Sequence, residues 1–164
     1  MKIGITIRHP AWRIALPEAR RVTRKAALAA LALTPMPRAN ELAVVLADDA
    51  LLRALNRDYR GVDKATNVLA FAYAEAQPPP GPEGSEILGD VVVSLEATRA
   101  EADKAGRCLR EHLSHLVIHG VLHLLGYDHG NDRDAESMEN IEIQALSGIG
   151  IANPYAPARA VKKR

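Results

Sequence analysis

One cysteine, Cys108, is all the thiol chemistry in this 164-residue chain. That excludes an internal disulfide and any zinc site built on paired cysteines. A reducing, cytoplasmic setting is the expectation, with Cys108 an inert core or boundary residue. Long hydrophobic runs are also missing: the apolar stretch at residues 26–33 is far below the roughly 20 residues that span a bilayer. Met1-Lys2-Ile3-Gly4-Ile5 runs directly into charged sequence, with neither an apolar signal core nor a small-residue cleavage site. Aromatics are scarce, with one tryptophan, one phenylalanine and four tyrosines, which argues against a protein that reads single strands mainly by stacking. The net charge is only +1. Its parts are unevenly spread, however. Arg8, Arg13, Arg20, Arg21, Arg24 and Lys25 face only Glu18 nearby, and Arg159, Lys162, Lys163 and Arg164 face no acid. Asp132, Asp134, Glu136, Glu139 and Glu142 crowd the segment around Arg133. Such asymmetry permits a basic surface suited to a polyanion, and equally describes ordinary solvated helix faces.

With 48% hydrophobic and 25% charged residues, the chain has enough apolar material for one sizeable core. Ile3, Ile5 and Ile7 alternate as a half-buried strand does, and residues 41–47, 68–73 and 87–94 supply three more strands. About five helices are expected. One opens at Pro17-Glu18 with Val22, Ala26, Ala29, Ala30 and Leu33 as its apolar stripe, its arginine pairs Arg20/Arg24 and Arg21/Lys25 facing solvent. A short one is capped by Asp48 and runs through Leu51, Leu52 and Leu55, followed by a polar loop over 56–67. Ser94 caps a helix over 95–105 that Gly106 ends; an apolar helix follows over 109–125; the last covers 134–146, with Met138, Ile141 and Ala145 inward. The proline-rich stretch at 78–82 reads as a surface loop.

The chemistry is concentrated in His119-Gly120-Val121-Leu122-His123-Leu124-Leu125-Gly126-Tyr127-Asp128-His129. Positions four apart share a helix face, so His119 and His123 aim at one point. Gly126 ends the helix, and His129 arrives from the turn. Three neutral imidazoles with an open fourth position are how a catalytic zinc is held. A rival set of His115, His119 and His123 fails on length. At about 1.5 Å rise per residue its outer members stand about 12 Å apart along the axis, against Zn–N bonds of about 2.0–2.1 Å. His115 is therefore read as supporting the ligands, lining a groove or, preferentially, packed; His112 reads as a surface residue. Asp128 either orients a histidine and handles a proton or is a turn residue bonding its own backbone. The histidine spacing is that of metzincin metallopeptidases, whose glutamate general base follows the first histidine. Here that position is Gly120, which disfavours peptide hydrolysis.

These residues resemble a known family. His-Gly-x-Leu-His-Leu-x-Gly-Tyr-Asp-His is similar to the signature of the YbeY family of bacterial rRNA maturation factors, metal-dependent endoribonucleases. Tyr59-Arg60-Gly61-x-Asp63-Lys64-x-Thr66-Asn67-Val68-Leu69 and Leu88-Gly89-Asp90-Val91-Val92-Val93-Ser94 resemble two further family blocks, so the likeness covers about residues 40–155. Two prolines and a serine common in the first of these blocks are absent, at Ala65, Ala72 and Ala70. The resemblance implies an α+β fold: a small, mostly parallel four-stranded sheet packed with helices, the ligand helix central, with a zincin-like site. Length and composition place one domain at 1–155, which the resemblance makes a metal-dependent hydrolase, followed by a basic tail at 156–164 expected to be disordered. The resemblance places the metal ligands on His119, His123 and His129 and a catalytic arginine on Arg60, whose other reading is a loop arginine bracing the fold. The implied function is zinc-dependent, single-strand-specific endoribonuclease action in small-subunit rRNA maturation and ribosome quality control. Nickel or another first-row metal suits the same ligands. Expected partners are single-stranded RNA, the small ribosomal subunit and an assembly GTPase, with no membrane and a monomeric chain. The alternatives are a non-catalytic, metal-stabilised ribosome-assembly factor and, behind it, a metallopeptidase.

Overall fold

Alternation along the strands sets the layers. In β2 (Glu41–Ala47), Leu42, Val44 and Leu46 point to one face of a sheet while Val45 and Ala47 point to the other. The structure is a computed structural model that describes residues 1–73 and 86–156. The remaining elements are β1 (Lys2–Ile7), α1 (Ala11–Ala15), α2 (Ala19–Ala32), α3 (Asp49–Arg60), β3 (Val68–Ala72), β4 (Ile87–Ser94), α4 (Leu95–Ala105), α5 (Leu109–Leu124) and α6 (Asp132–Gly148). The sheet order is β1-β2-β4-β3. β1 and β2 pair in parallel, as do β2 and β4, and β3 lies antiparallel to β4 at the open edge. This is the expected α+β architecture with a mostly parallel sheet. The proline-rich stretch at 78–82 and nearly all of the basic tail expected at 156–164 lie outside the described residues.

The first face carries the larger core. There Val91 and Val93 of β4 meet Leu113, Val117 and Val121 of α5, and α2 adds Ala26 and Ala30. α5 packs against α2, α4, α6, β3 and β4, so it is the central helix. On the second face, α3 lays Leu52 over Ala47, Leu69 and Val92. The sixth helix, α1, has no counterpart in the sequence reading, because five residues are too few to show a helical period. It is pinned by Trp12, which is fully buried and donates its indole N–H to the Ala47 carbonyl at 2.9 Å.

Three expectations change. α3 does not stop near Leu55 but continues to Arg60, where Gly61 at φ 72° turns the chain. The Gly61 and Val62 N–H groups bond the Arg57 and Asn56 carbonyls, a glycine-based helix stop that the polar composition of 56–60 obscured. Arg20 and Arg24 do not simply face solvent. Their guanidinium groups donate to the Ile5 and Ile3 carbonyls at 2.6 and 3.3 Å, which blunts the exposed edge of β1. Cys108 is exposed at the N-cap of α5 rather than placed in the core or at its boundary.

Gly120 marks where α5 comes closest to the sheet. A Cβ there would lie 2.6 Å from Val91 Cγ1 and 3.1 Å from its Cγ2, and Val91 is itself fully buried. Gly120→Ala is therefore expected to destabilise the fold by about 1–3 kcal/mol through overpacking, even though alanine favours helix. Thermal denaturation checks this, and an unchanged or raised melting temperature would contradict the close approach. For the same reason a glutamate cannot stand at 120 without driving the ligand helix off β4.

Candidate metal centre

α5 delivers the first two histidines from one face and its end delivers the third. The helix closes at Leu125, Gly126 follows at φ 98°, and the Tyr127 N–H returns to the Leu122 carbonyl at 3.0 Å. This tight stop turns residues 127–129 back over the His119–His123 face. Asp128 Oδ1 accepts the His129 N–H at 2.7 Å, so Asp128 shapes the turn, as the second of its two readings expected. Asn131 then caps α6 by accepting from the Asp134 N–H. His129 is thus held between a helix stop and a helix start.

The candidate ligand nitrogens of His119, His123 and His129 all lie within 4.8 Å of one another. His119 Nε2 and His123 Nε2 are 3.1 Å apart. Two nitrogens bound at about 2.0–2.1 Å on a tetrahedral ion stand about 3.3 Å apart, so the pair is already close to ligand spacing. His119 and His123 are half-buried and His129 is exposed, which leaves one side of the cluster open. Burial, and then the neighbouring His119 and His129, lower the His123 pKa and keep its lone pair free.

Behind the cluster stands Glu142 of α6, which the sequence reading counted only among the acids of its segment. It is fully buried. His119 Nδ1 lies 2.6 Å from its Oε2, His115 Nε2 lies 2.7 Å from its Oε1, and Tyr155 donates its hydroxyl to the same Oε1. Burial pushes the carboxyl up, but the hydrogen bonds from His115, His119 and Tyr155 outweigh it and hold the pKa at about 2. Burial and the Glu142 bond raise the Tyr155 phenol in turn. A carboxylate only accepts, so His119 carries its proton on Nδ1 and turns the Nε2 lone pair toward the other histidines. A signal existed: Glu142 falls on the inward stripe at Met138, Glu142 and Ala145, spaced i, i+4, i+7. A lone acid on an apolar stripe needs a buried partner.

The other candidates separate. His115 supports the cluster through Glu142 and is not part of it. His112 is not a surface residue: its side chain is 13% exposed and meets Glu101 at 2.8 Å, because α4 lies across α5 at that point. Burial lowers its pKa despite the Glu101 partner. Arg60, the last residue of α3, is exposed and makes no hydrogen bond or ion pair among the described residues. It approaches from the second face of the sheet. The neighbouring Tyr59 meets Phe71 near the end of β3, at a centroid distance of 5.5 Å. Ala72, the next residue of β3, pairs with Gly89, against which Leu124 of α5 packs from the first face. Tyr59 of α3 and Leu124 of α5 therefore reach the same end of the edge strand from its opposite faces.

Comparison with known proteins agrees with the motifs. The family model described as Endoribonuclease YbeY matches residues 5–150. Endoribonuclease YbeY of Paramagnetospirillum magneticum is 46% identical over 157 residues, covering 94% of this chain and 96% of that protein. Its counterpart in Azorhizobium caulinodans is 44% identical over 160 residues, covering 95% and 97%. The solution structure of TM1509 from Thermotoga maritima is similar in fold, with a TM-score of 0.51 at 21% identity, and covers 98% of this chain and 99% of that one.

Proposed function

The chain belongs to the YbeY family, and on that premise we propose that it is a zinc-dependent endoribonuclease that cuts single-stranded RNA in small-subunit rRNA maturation and ribosome quality control. The observation that carries the reading is the three-histidine cluster with one open side, backed by a buried carboxylate on the Nδ1 of His119. His119, His123 and His129 would hold the ion. When bound, it supplies Lewis acidity to a phosphoryl oxygen and lowers the pKa of a coordinated water towards about 7. Glu142 fixes the tautomer and angle of His119, so that ligand is oriented before substrate arrives. Arg60 is free to grip a phosphodiester with paired N–H donors and to stabilise the charge that grows there as the bond breaks. A basic side chain and a cationic ion on opposite sides of one strand suit a polyanion laid across that edge.

The ligand set equally suits nickel or another first-row ion, and zinc is the choice for three imidazoles with one open position. The small ribosomal subunit and an assembly GTPase are the proposed partners, the cytoplasm the proposed location, and a single hydrolase domain of residues 1–155 the proposed unit. No helix among the described residues is long and apolar enough to cross a membrane. The peptidase alternative needs a glutamate at position 120, where the Val91 contact leaves no room for a side chain.

The test is cleavage of a single-stranded RNA, the same sequence as a perfect duplex, and casein, each with the zinc-loaded wild type and Arg60→Glu. The wild type should cut the single strand and spare the duplex and casein. Arg60→Glu should lower cleavage by about 10²-fold or more while elemental analysis finds its metal content unchanged. Casein cleavage, or full RNA cleavage by Arg60→Glu, would overturn the assignment.

A further inference from the structure

Most aromatic rings in this protein are spoken for. Trp12 is fully buried, Tyr73 donates its hydroxyl to Asp90 at 2.7 Å, Tyr127 packs on the core and Tyr155 is bound to Glu142. Tyr59 is different. It is 72% exposed, yet its ring is braced edge-to-face on Phe71 at 5.5 Å and 62°. An aromatic held in place while offering most of its surface to water is available for a flat partner.

Its surroundings say which kind. Arg60 is the next residue, exposed and unpaired among the described residues. The two nearest acids in sequence are already engaged: Asp58 with Arg57 at 3.0 Å and Asp63 with Arg53 at 2.7 Å. Lys64 is exposed as well. The patch is therefore an aromatic ring in a locally positive field. It lies against Phe71 on the second face of β3, the edge strand, which pairs with β4 alone among the described strands. From the first face the same end of β3 is reached by Leu124 of α5, the residue after His123.

We infer that Tyr59 is a stacking platform for a nucleobase of single-stranded RNA, seated so that Arg60 takes a phosphate of the same strand as it crosses the β3 edge toward the histidines. This rests on the endoribonuclease reading above and adds the residue that selects unpaired substrate. Every base presents a π-face, so stacking is tolerant of sequence, whereas a paired base inside a duplex cannot reach the ring. Tyr59 touches substrate but not the reacting phosphorus.

The test is binding of a short single-stranded RNA bearing one 2-aminopurine, with EDTA present to prevent cleavage, by the full chain and its Tyr59→Ala, Tyr59→Phe and Ile14→Ala variants. Tyr59→Ala should weaken binding about tenfold and abolish the quenching of 2-aminopurine fluorescence. Its slope of log affinity against log salt should stay that of the wild type, because no phosphate contact is removed. Tyr59→Phe should keep both affinity and quenching. Ile14→Ala, at another largely exposed position, should match the wild type. Unchanged binding by Tyr59→Ala, or an equal loss in Tyr59→Phe, overturns the platform while the endoribonuclease reading stands. An absence of RNA binding by the metal-free wild type overturns the platform, while the cleavage assay above decides the endoribonuclease reading separately, and equal affinity for a duplex removes the selection for unpaired bases.

Discussion

A His119→Ala/His123→Ala chain is expected to lose its bound metal and, with it, RNA cleavage by about 10³-fold or more. The two nitrogens stand 3.1 Å apart and the third candidate ligand, His129, comes from an exposed turn. One remaining imidazole cannot hold an ion for which three are proposed. The rate follows from the charge the ion offsets: several kcal/mol of transition-state stabilisation is lost, at about 1.36 kcal/mol per tenfold. Elemental analysis and single-strand cleavage read the two effects side by side. EDTA should reproduce the loss in the wild type and added zinc should reverse it, whereas added zinc should do nothing for the double variant. Retained cleavage in that variant would show that the histidines are not the reactive centre. Metal retained by it would show that the ion sits elsewhere.

Glu142 carries the second large effect, and two substitutions separate its two roles. Glu142→Ala removes a fully buried acceptor and leaves the His119 Nδ1, the His115 ring and the Tyr155 hydroxyl without their common partner. Losing this buried side chain, its volume and its three hydrogen bonds costs about 3–5 kcal/mol. In a domain of this size that lowers the melting temperature by about 10 °C. Glu142→Gln keeps the volume and an accepting oxygen but loses the charge. It should fold, with a metal affinity about 10–100-fold below that of the wild type. Thermal denaturation of the metal-free chains and metal titration of the glutamine variant check the two parts. Wild-type metal affinity in Glu142→Gln would mean that the carboxylate holds the helices together and does not tune the ligand.

The readable and unreadable parts of the site divide along a physical line. His119, His123 and His129 were legible because their geometry is local: a helical face and a glycine stop lie within eleven consecutive residues. Asp128 was half-legible, since bonding the next backbone N–H is also a local matter. Glu142 belongs to another helix, so its meeting with His119 depends on how α6 docks on α5, which no local pattern records. His112 and Cys108 failed in opposite directions for the same reason. The packing of α4 covers one, and the entry into α5 leaves the other in water. Arg20 and Arg24 found carbonyls on β1 because α2 returns beside the edge strand, a consequence of topology and not of composition.

Alone, the sequence determined the strand and helix periods, the helix stop at Gly126 and the convergence of three imidazoles, because each follows from dihedral preference and spacing within a few residues. The family blocks added the expected arginine at position 60. Only the tertiary structure decided that a buried carboxylate orients His119 and that Val91 bars any side chain at 120. It also set Tyr59 of α3 on Phe71 of the edge strand β3, on the face opposite α5. Those relations join residues 12 to 29 positions apart, and nothing but the packing of α3, α5 and α6 around one sheet brings them together.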